Sequence, residues 1–316
     1  MGGCPLRQTL EVTPRGTAGN LPIFQKYRQI ALLRVKSWLL YPQTGIIMSK
    51  QVTILVPNYK TAELTTLCLR LLRKHTPAEL AEVIVVDNDS NDASLDYLRS
   101  LSWIKLIERK VPTKETVARS HALALDEALA QVTTPYVLSI HTDTLVSRPD
   151  WLPFLLKQIN RDSSIAGVGS WKLETKPWYS RFFKLLEYRW QSFYFSLIGK
   201  KDHHLLGKGN NYYYLRSHCA LYRTDLLKKH SLYFCDGDNP AGKAMHKKLT
   251  ELGYKMIFLP SETLGQYMDH LNHATMVLNP ELGARQSTIT KGLKRIKSRW
   301  EKVNAPAVLA NTELDK

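Results

Sequence analysis

A chain of 316 residues, 44% of them hydrophobic, can bury one large α/β core or one core and a smaller lobe, and this composition excludes a disordered chain. Its four cysteines, Cys4, Cys68, Cys219 and Cys235, are too scattered for a disulfide framework or a C-x-x-C zinc spacing, so a reducing cytosol is the expected compartment. The formal charge of +16 is uneven: residues 1–50 hold seven Lys/Arg against one Glu, and residues 176–229 hold eleven against three Asp/Glu.

Residues 1–50 read as a basic extension outside the fold, with Met48 standing just before the first strong strand. The apolar stretch from Leu21 to Tyr41 carries Lys26, Arg28, Arg34 and Lys36, a charge density that excludes a membrane span of about 20 residues. It also lacks the apolar run and cleavage site of a signal peptide, and Leu6 stands where a myristoylation signal has Ser or Thr.

From Gln51 strands and helices alternate. A β-rich run at 52–56 ends at Pro57, and Leu64, Leu67, Leu71 and Leu72 predict a helix over 62–74. A strand at 82–86 runs into the turn Asp87-Asn88-Asp89-Ser90-Asn91-Asp92. A helix over 93–101, a strand at 104–108, a helix over 116–130 and a strand at 136–140 follow. The pattern predicts a Rossmann-like α/β domain over 51–280, its central sheet mainly parallel and covered by helices on both faces. Ligands in such sheets gather beyond the carboxyl ends of strands. Pro57-Asn58-Tyr59, Asp87-Asn88-Asp89 and His141-Thr142-Asp143 all fall at such ends, and the strand-terminal carboxylate of Asp143 is a candidate ligand for a hard divalent cation. A turn or helix-capping role is the alternative for that residue.

Beyond Trp151 the sequence predicts a helix over 151–159, a strand at 166–171 and a helix over 177–197 in which aromatic residues interleave with Lys and Arg. Such a stretch suits an anionic membrane surface, a polyphosphate-bearing lipid, a nucleic acid, or a plain solvated helix with aromatics in the core, and composition leaves these open. A short strand at 217–222 and a helix over 224–229 precede Asp236-Gly237-Asp238-Asn239-Pro240, read as the opening of a helix that closes at Gly253. A strand at 256–259 is the last, and residues 281–316 form a basic helix and tail.

This order of parts resembles family 2 glycosyltransferases of the GT-A fold from about Gln51 to about His273. The runs Val52-Thr53-Ile54-Leu55-Val56-Pro57-Asn58-Tyr59-Lys60 and Val83-Ile84-Val85-Val86-Asp87-Asn88-Asp89-Ser90 carry the likeness. The resemblance implies a donor half at 51–150 and an acceptor half at 151–280. It implies a nucleotide-sugar donor touched by Pro57, Asn58, Tyr59, Asp87 and Asp89, with Arg119 and His141 as further polar contacts. His141-Thr142-Asp143 stands in the place of the family's Asp-x-Asp motif, with His141 replacing the first acid. Asp143 would hold Mn or Mg, and His270 and His273 are further candidate ligands. Asp238, with Asp236 beside it, would be the base that deprotonates the acceptor, and capping of the helix opened by Pro240 is the other role open to it.

The expected reaction is a metal-assisted in-line displacement with inversion, onto a hydroxyl of a glycan or lipid-linked acceptor in polysaccharide biosynthesis. The basic-aromatic helix would lie in the acceptor region and touch an anionic membrane from the cytoplasmic face. A retaining transferase of the same fold and a catalytically degenerate nucleotide- or anion-binding protein stay open beside it. No Gly-rich phosphate loop follows the first strand, against a nucleotidyltransferase, and the absence of a nucleic-acid motif sets that partner aside.

Overall fold

The structure, a computed structural model, describes residues 49–112, 115–173, 178–197, 207, 209–272, 274–279, 283 and 285–316. Its main sheet contains β1 (Val52–Asn58), β2 (Ala81–Asn88), β3 (Ile104–Arg109), β4 (Tyr136–Ile140), β6 (Ile165–Gly169), β7 (Cys219–Arg223) and β8 (Lys255–Phe258). A separate two-stranded ribbon pairs β5 (Thr144–Val146) with β9 (Met268–His270). The main sheet has the order β3-β2-β1-β4-β7-β6-β8. Pairing is parallel throughout except at β7, which runs antiparallel to both β4 and β6. This is the mainly parallel α/β sheet expected.

The alternation in β1 explains its central place. Val52, Ile54 and Val56 are buried in a core on one face with the apolar side of α1 (Ala62–His75) and of α4 (Trp151–Ile159). Leu55 points into the opposite core, with Ala122 and Leu125 of α3 (Val117–Leu129) and with α7 (Lys243–Glu251). Burying both faces is what a sheet tied together by helical crossovers requires. The short helix α2 (Ala93–Ser100) adds Leu98 to the first core, and α6 (Thr224–Lys229) adds Leu226 and Leu227 to the second. Pro57 continues β1 instead of ending it, because pairing to β4 stops at Leu55 and an amide donor is no longer needed on both edges.

Gly169 shows why β6 contains two glycines. A Cβ there would lie 2.3 Å from the Cys219 carbonyl oxygen and 3.1 Å from the Ala220 Cα, so β6 and β7 approach as closely as they do only because no side chain intervenes.

Three expectations shift. The helix expected to open at Pro240 begins at Lys243, because Gly242 at φ +75° turns the chain between them. Asp238 therefore does not cap it. The short ribbon of β5 and β9 was not expected. The C-terminal segment is not a loose tail: Ile296 of α10 (Gln286–Val303) and Val308 of α11 (Ala305–Ala310) enter the first core, and Arg70 of α1 donates to Asp315 and the Leu309 carbonyl. The aromatic helix α5 (Trp178–Leu197) forms as expected, and no helix among the described residues is long and apolar enough to cross a membrane. Here α8 is Ser261–Leu264 and α9 is Ala274–Leu278.

Candidate active site

A cleft of about 610 Å³ opens beyond the carboxyl ends of β1, β2 and β4. Pro57, Asn58, Tyr59, Asn88 and Asp89 border it from β1 and β2, and His141, Thr142 and Asp143 from the end of β4. Residues from the loops before β7 and α7 and after β9 close the other side.

The ribbon of β5 and β9 makes the centre of the site. Its register sets Thr144 against His270, and the Leu271 amide donates to the Asp143 carbonyl at 2.9 Å. His270 is thereby delivered to Asp143, its Nε2 3.0 Å from Asp143 Oδ1. His141 Nδ1 lies 3.7 Å from the same oxygen, and one atom of each residue falls within 4.8 Å of the others. Asp143 Oδ2 accepts the Ala274 amide, the first of α9, at 3.3 Å. Asp143 Oδ1 and both ring nitrogens of His270 are buried with no well-aligned hydrogen-bond partner among the described residues. Burial pushes the Asp143 carboxyl up, and His270, His141 and the Ala274 amide outweigh it and hold the group below the usual carboxylate range. An ionised carboxylate whose buried oxygen faces two imidazoles fits a divalent cation.

Two further histidines surround this trio. His218 stacks on His270 with ring centroids 4.5 Å apart, and its Nε2 meets Ser170 Oγ at 2.8 Å. His121 of α3 packs edge-on against His141 at 4.8 Å. Burial draws His121 down to about 4, with Asp143 opposing, and draws His141 and His218 well below the ordinary imidazole range. These rings are neutral at physiological pH and present lone pairs.

The wall from β1 and β2 is held by buried hydrogen bonds. Asn58 Nδ2 donates to Asp87 Oδ1 at 2.7 Å and to Ser94 Oγ at 2.9 Å, while Asn58 Oδ1 accepts from Thr65. Asp87 also takes the Ser90 hydroxyl and amide. Its carboxylate is spent inside the protein, 1% exposed, and does not border the cleft; Asp89 does. Asn88 is fixed by Ser120 and by the buried guanidinium of Arg109, which also binds Glu115 and Glu127.

The remaining sequence-based candidates separate. Arg119 is exposed on α3 outside the cleft. Asp236 and Asp238 lie in the exposed loop before α7, where Asp238 Oδ1 accepts from Thr116 Oγ1 at 2.9 Å and Asp236 accepts from Asn239. Pro240 and Ala241, just after them, border the cleft. His273 lies outside the described residues. Ser217 and His218 were not singled out from the sequence. Because β7 is antiparallel to β4, with Ile140 opposite Cys219, the residues just before β7 arrive beside His141. Reading that direction would have found them.

An α/β sheet with a polar cleft and a carboxylate-imidazole cluster at its strand ends has the arrangement of an α/β enzyme. The sequence model of Glycosyl transferase family 2 matches residues 53–231, more than half of the chain, and the chain belongs to that family. It is a glycosyltransferase. No curated protein matches it. Among solved structures, a mannosyltransferase of Pyrobaculum calidifontis in complex with GDP-Man and Mn2+ is 21% identical at TM-score 0.48, over 75% of this chain and 63% of its own. The S. aureus protein TarS 1-349 is 17% identical at TM-score 0.46, over 79% of this chain and 71% of its own. A glucosyl-3-phosphoglycerate synthase of Mycobacterium tuberculosis, in complex with Mn2+, UDP and glucosyl-3-phosphoglycerate, is 17% identical at TM-score 0.46, over 81% and 86%.

Proposed function

We propose that this glycosyltransferase moves a sugar from a nucleoside-diphosphate sugar to a hydroxyl acceptor, a glycan or a lipid-linked one, with inversion. The observation that carries the reading is the cluster of His141, Asp143 and His270 at the mouth of β4, with the buried Asp143 Oδ1 3.0 Å from His270 Nε2 and lacking a well-aligned hydrogen bond among the described residues. Tyr59 and Asp89, on the rim held in place by Asn58 and Asn88, would hold the nucleoside, and His141, Asp143 and His270 the diphosphate end. A divalent cation, Mn or Mg, held by Asp143 and His270 would neutralise the departing diphosphate. The acceptor oxygen attacks the anomeric carbon as the bond to the diphosphate oxygen breaks, and Asp238 takes the acceptor proton. Calorimetry with uridine and guanosine diphosphates, with and without Mn, tests it: one of the two binds more tightly with metal. No nucleotide binding under any condition overturns the reading.

A retaining transfer is favoured by one observation. Asp238 hydrogen-bonds to Thr116 and does not border the cleft, so a dedicated base is not in place without movement of its loop. The anomeric configuration of the product, read by NMR, decides between them.

The acceptor side carries α5. Phe182, Leu186, Trp190 and Phe193 share one helical face at i, i+4 and i, i+3 spacing and are 51%, 46%, 70% and 59% exposed. With the basic excess of residues 176–229, this face suits the interface of an anionic bilayer on the cytoplasmic side. Co-sedimentation with anionic vesicles, lost on Trp190→Ser with Phe193→Ser and absent with neutral vesicles, is the expected outcome. Equal sedimentation of the double variant sets the membrane role aside.

A further inference from the structure

We propose that His141 is a third ligand through Nδ1, that the Ser217 hydroxyl sets the tautomer which makes it one, and that the centre therefore selects imidazole-binding first-row ions over Mg. The inference rests on the reading of Asp143 and His270 as metal ligands and extends it to a residue whose position in the family motif belongs to an acid.

The geometry divides His141 into two ends. Its Nδ1 faces Asp143 Oδ1 at 3.7 Å, and its Nε2 meets Ser217 Oγ at 2.9 Å. The same hydroxyl meets His121 Nε2 at 3.2 Å. A serine has one proton to give and two lone pairs, so Ser217 can accept from both rings or donate to one of them, and donation takes two forms. In one, His121 donates to Ser217 and Ser217 to His141, which leaves the His141 proton on Nδ1, aimed at the carboxylate. In the other, His141 Nε2–H donates to Ser217 and Ser217 donates to His121, and the Nδ1 lone pair faces the open site. A cation beside Asp143 Oδ1 excludes the first and leaves His141 Nε2–H donating to Ser217 Oγ, whichever way the bond to His121 runs. Ser217 and His121 are then the outer partners that orient a ligating imidazole, as hydrogen-bonded second partners do at other histidine sites.

The ligand set that results is two imidazole nitrogens and one carboxylate oxygen. Mg prefers oxygen and keeps its waters, whereas Mn, Co and Zn accept imidazole increasingly well along the first row. An Asp-x-Asp site offers oxygen at the first acid position; His141 offers nitrogen there.

The test uses metal-stripped full-length protein titrated with Co, Zn, Mn and Mg, with and without uridine diphosphate. Co is followed by its visible absorption and the others by calorimetry, for the wild type and for His141→Ala, His141→Asp, Ser217→Ala and His270→Ala. The expected result is binding of Co and Zn at least about tenfold tighter than Mg. His141→Ala should weaken Co about ten- to a hundredfold, and Ser217→Ala about tenfold with an altered visible band. His141→Asp should narrow the gap between Co and Mg. Unchanged Co affinity and spectrum in folded His141→Ala, with loss in His270→Ala, overturns the role of His141 and leaves the Asp143–His270 reading standing. Unchanged binding in both variants, or none in the wild type, overturns both. An unchanged spectrum and affinity in Ser217→Ala alone removes Ser217 from the proposal.

Discussion

The two walls of the cleft are built on different physics. The wall of Asn58, Asn88 and Ser120 stands on two strand ends and the first turn of α3 and is tied by side chains to side chains, through Asp87 on one side and Arg109 on the other. The facing wall of Pro240, Ala241 and Asn272 stands on loops and is tied through the backbone. Gly242 N–H donates to the Phe234 carbonyl, Asn272 sits at φ +51°, and the amides of Phe234 and Cys235 converge on one carboxylate, Asp126. A buried network that is fully satisfied is rigid and costly to break in any part, whereas a loop held at few points opens locally. On the proposed reading, the rigid wall would take the donor and the adjustable wall the acceptor.

The largest expected effects lie where the walls meet. Asp143→Asn keeps the shape and removes the anionic ligand, and transfer should fall about a hundred- to a thousandfold, measured as donor turnover across a panel of nucleotide sugars. Turnover within a few-fold of wild type would remove Asp143 from the chemistry.

Breaking the donor wall should cost stability before it costs specificity. The Arg109 side chain is 5% exposed and lies 2.6 Å from Glu115 and 3.0 Å from Glu127. Arg109→Met strands Glu115 and the Asn88 carbonyl, and urea unfolding should show a loss of about 3 kcal/mol. Weaker nucleotide binding should accompany it, since Asn88 loses its fixed orientation. A loss under about 1 kcal/mol would mean that water replaces the guanidinium freely.

Breaking the sheet beneath the facing wall should cost less. Gly169→Ala forces a methyl against the Cys219 carbonyl and shifts the start of β7, which Ser217 and His218 immediately precede. A destabilisation of about 1–3 kcal/mol is expected, whereas Gly237→Ala, where a Cβ meets nothing within 4 Å, should cost only the strain of its positive φ, about 1 kcal/mol.

The same division decided what the sequence could reveal. β1, β2, α3 and β4 repeat their apolar pattern over enough residues to be read, and the polar groups at their ends follow from where strands stop. The pairing of Thr144–Val146 with Met268–His270 involves three residues a side, too few for a period, and partners 124 positions apart. Yet it is this pairing that brings His270 to Asp143. The helix start at Pro240 was misread for a local reason: a Pro after Asp is a capping signature, and Gly242 overrides it. Asp87 was expected to face the nucleoside, and its burial follows from Asn58 and Ser90, whose side chains turn toward it and not outward.

Asp126 offers the smallest and most specific test of the contrast. Its carboxylate accepts the Phe234 amide at 2.6 Å and the Cys235 amide at 2.9 Å, and it is the side chain that moors the loop leading to Asp238. Burial raises its pKa to about 6, above the ordinary carboxylate value, against the pull of those two amides. With the folded value above the unfolded one, the native state holds more protons between pH 4 and 6, so this group's contribution falls as pH rises through that window and is flat above it. Asp126→Asn removes the slope and leaves one amide without an acceptor. The wild-type advantage over the variant should be greatest below about pH 4 and shrink by at most about 2 kcal/mol between pH 4.5 and pH 7, less where solvent reaches the group. Urea unfolding of both proteins at pH 4.5, 6 and 8 measures it. An advantage that grows with pH would mean that the two amides hold the carboxylate ionised more strongly than burial opposes it. In either case the mooring itself predicts a further split: loosening the loop should alter acceptor KM and leave nucleotide affinity unchanged, because the donor wall shares no hydrogen bond with Asp126.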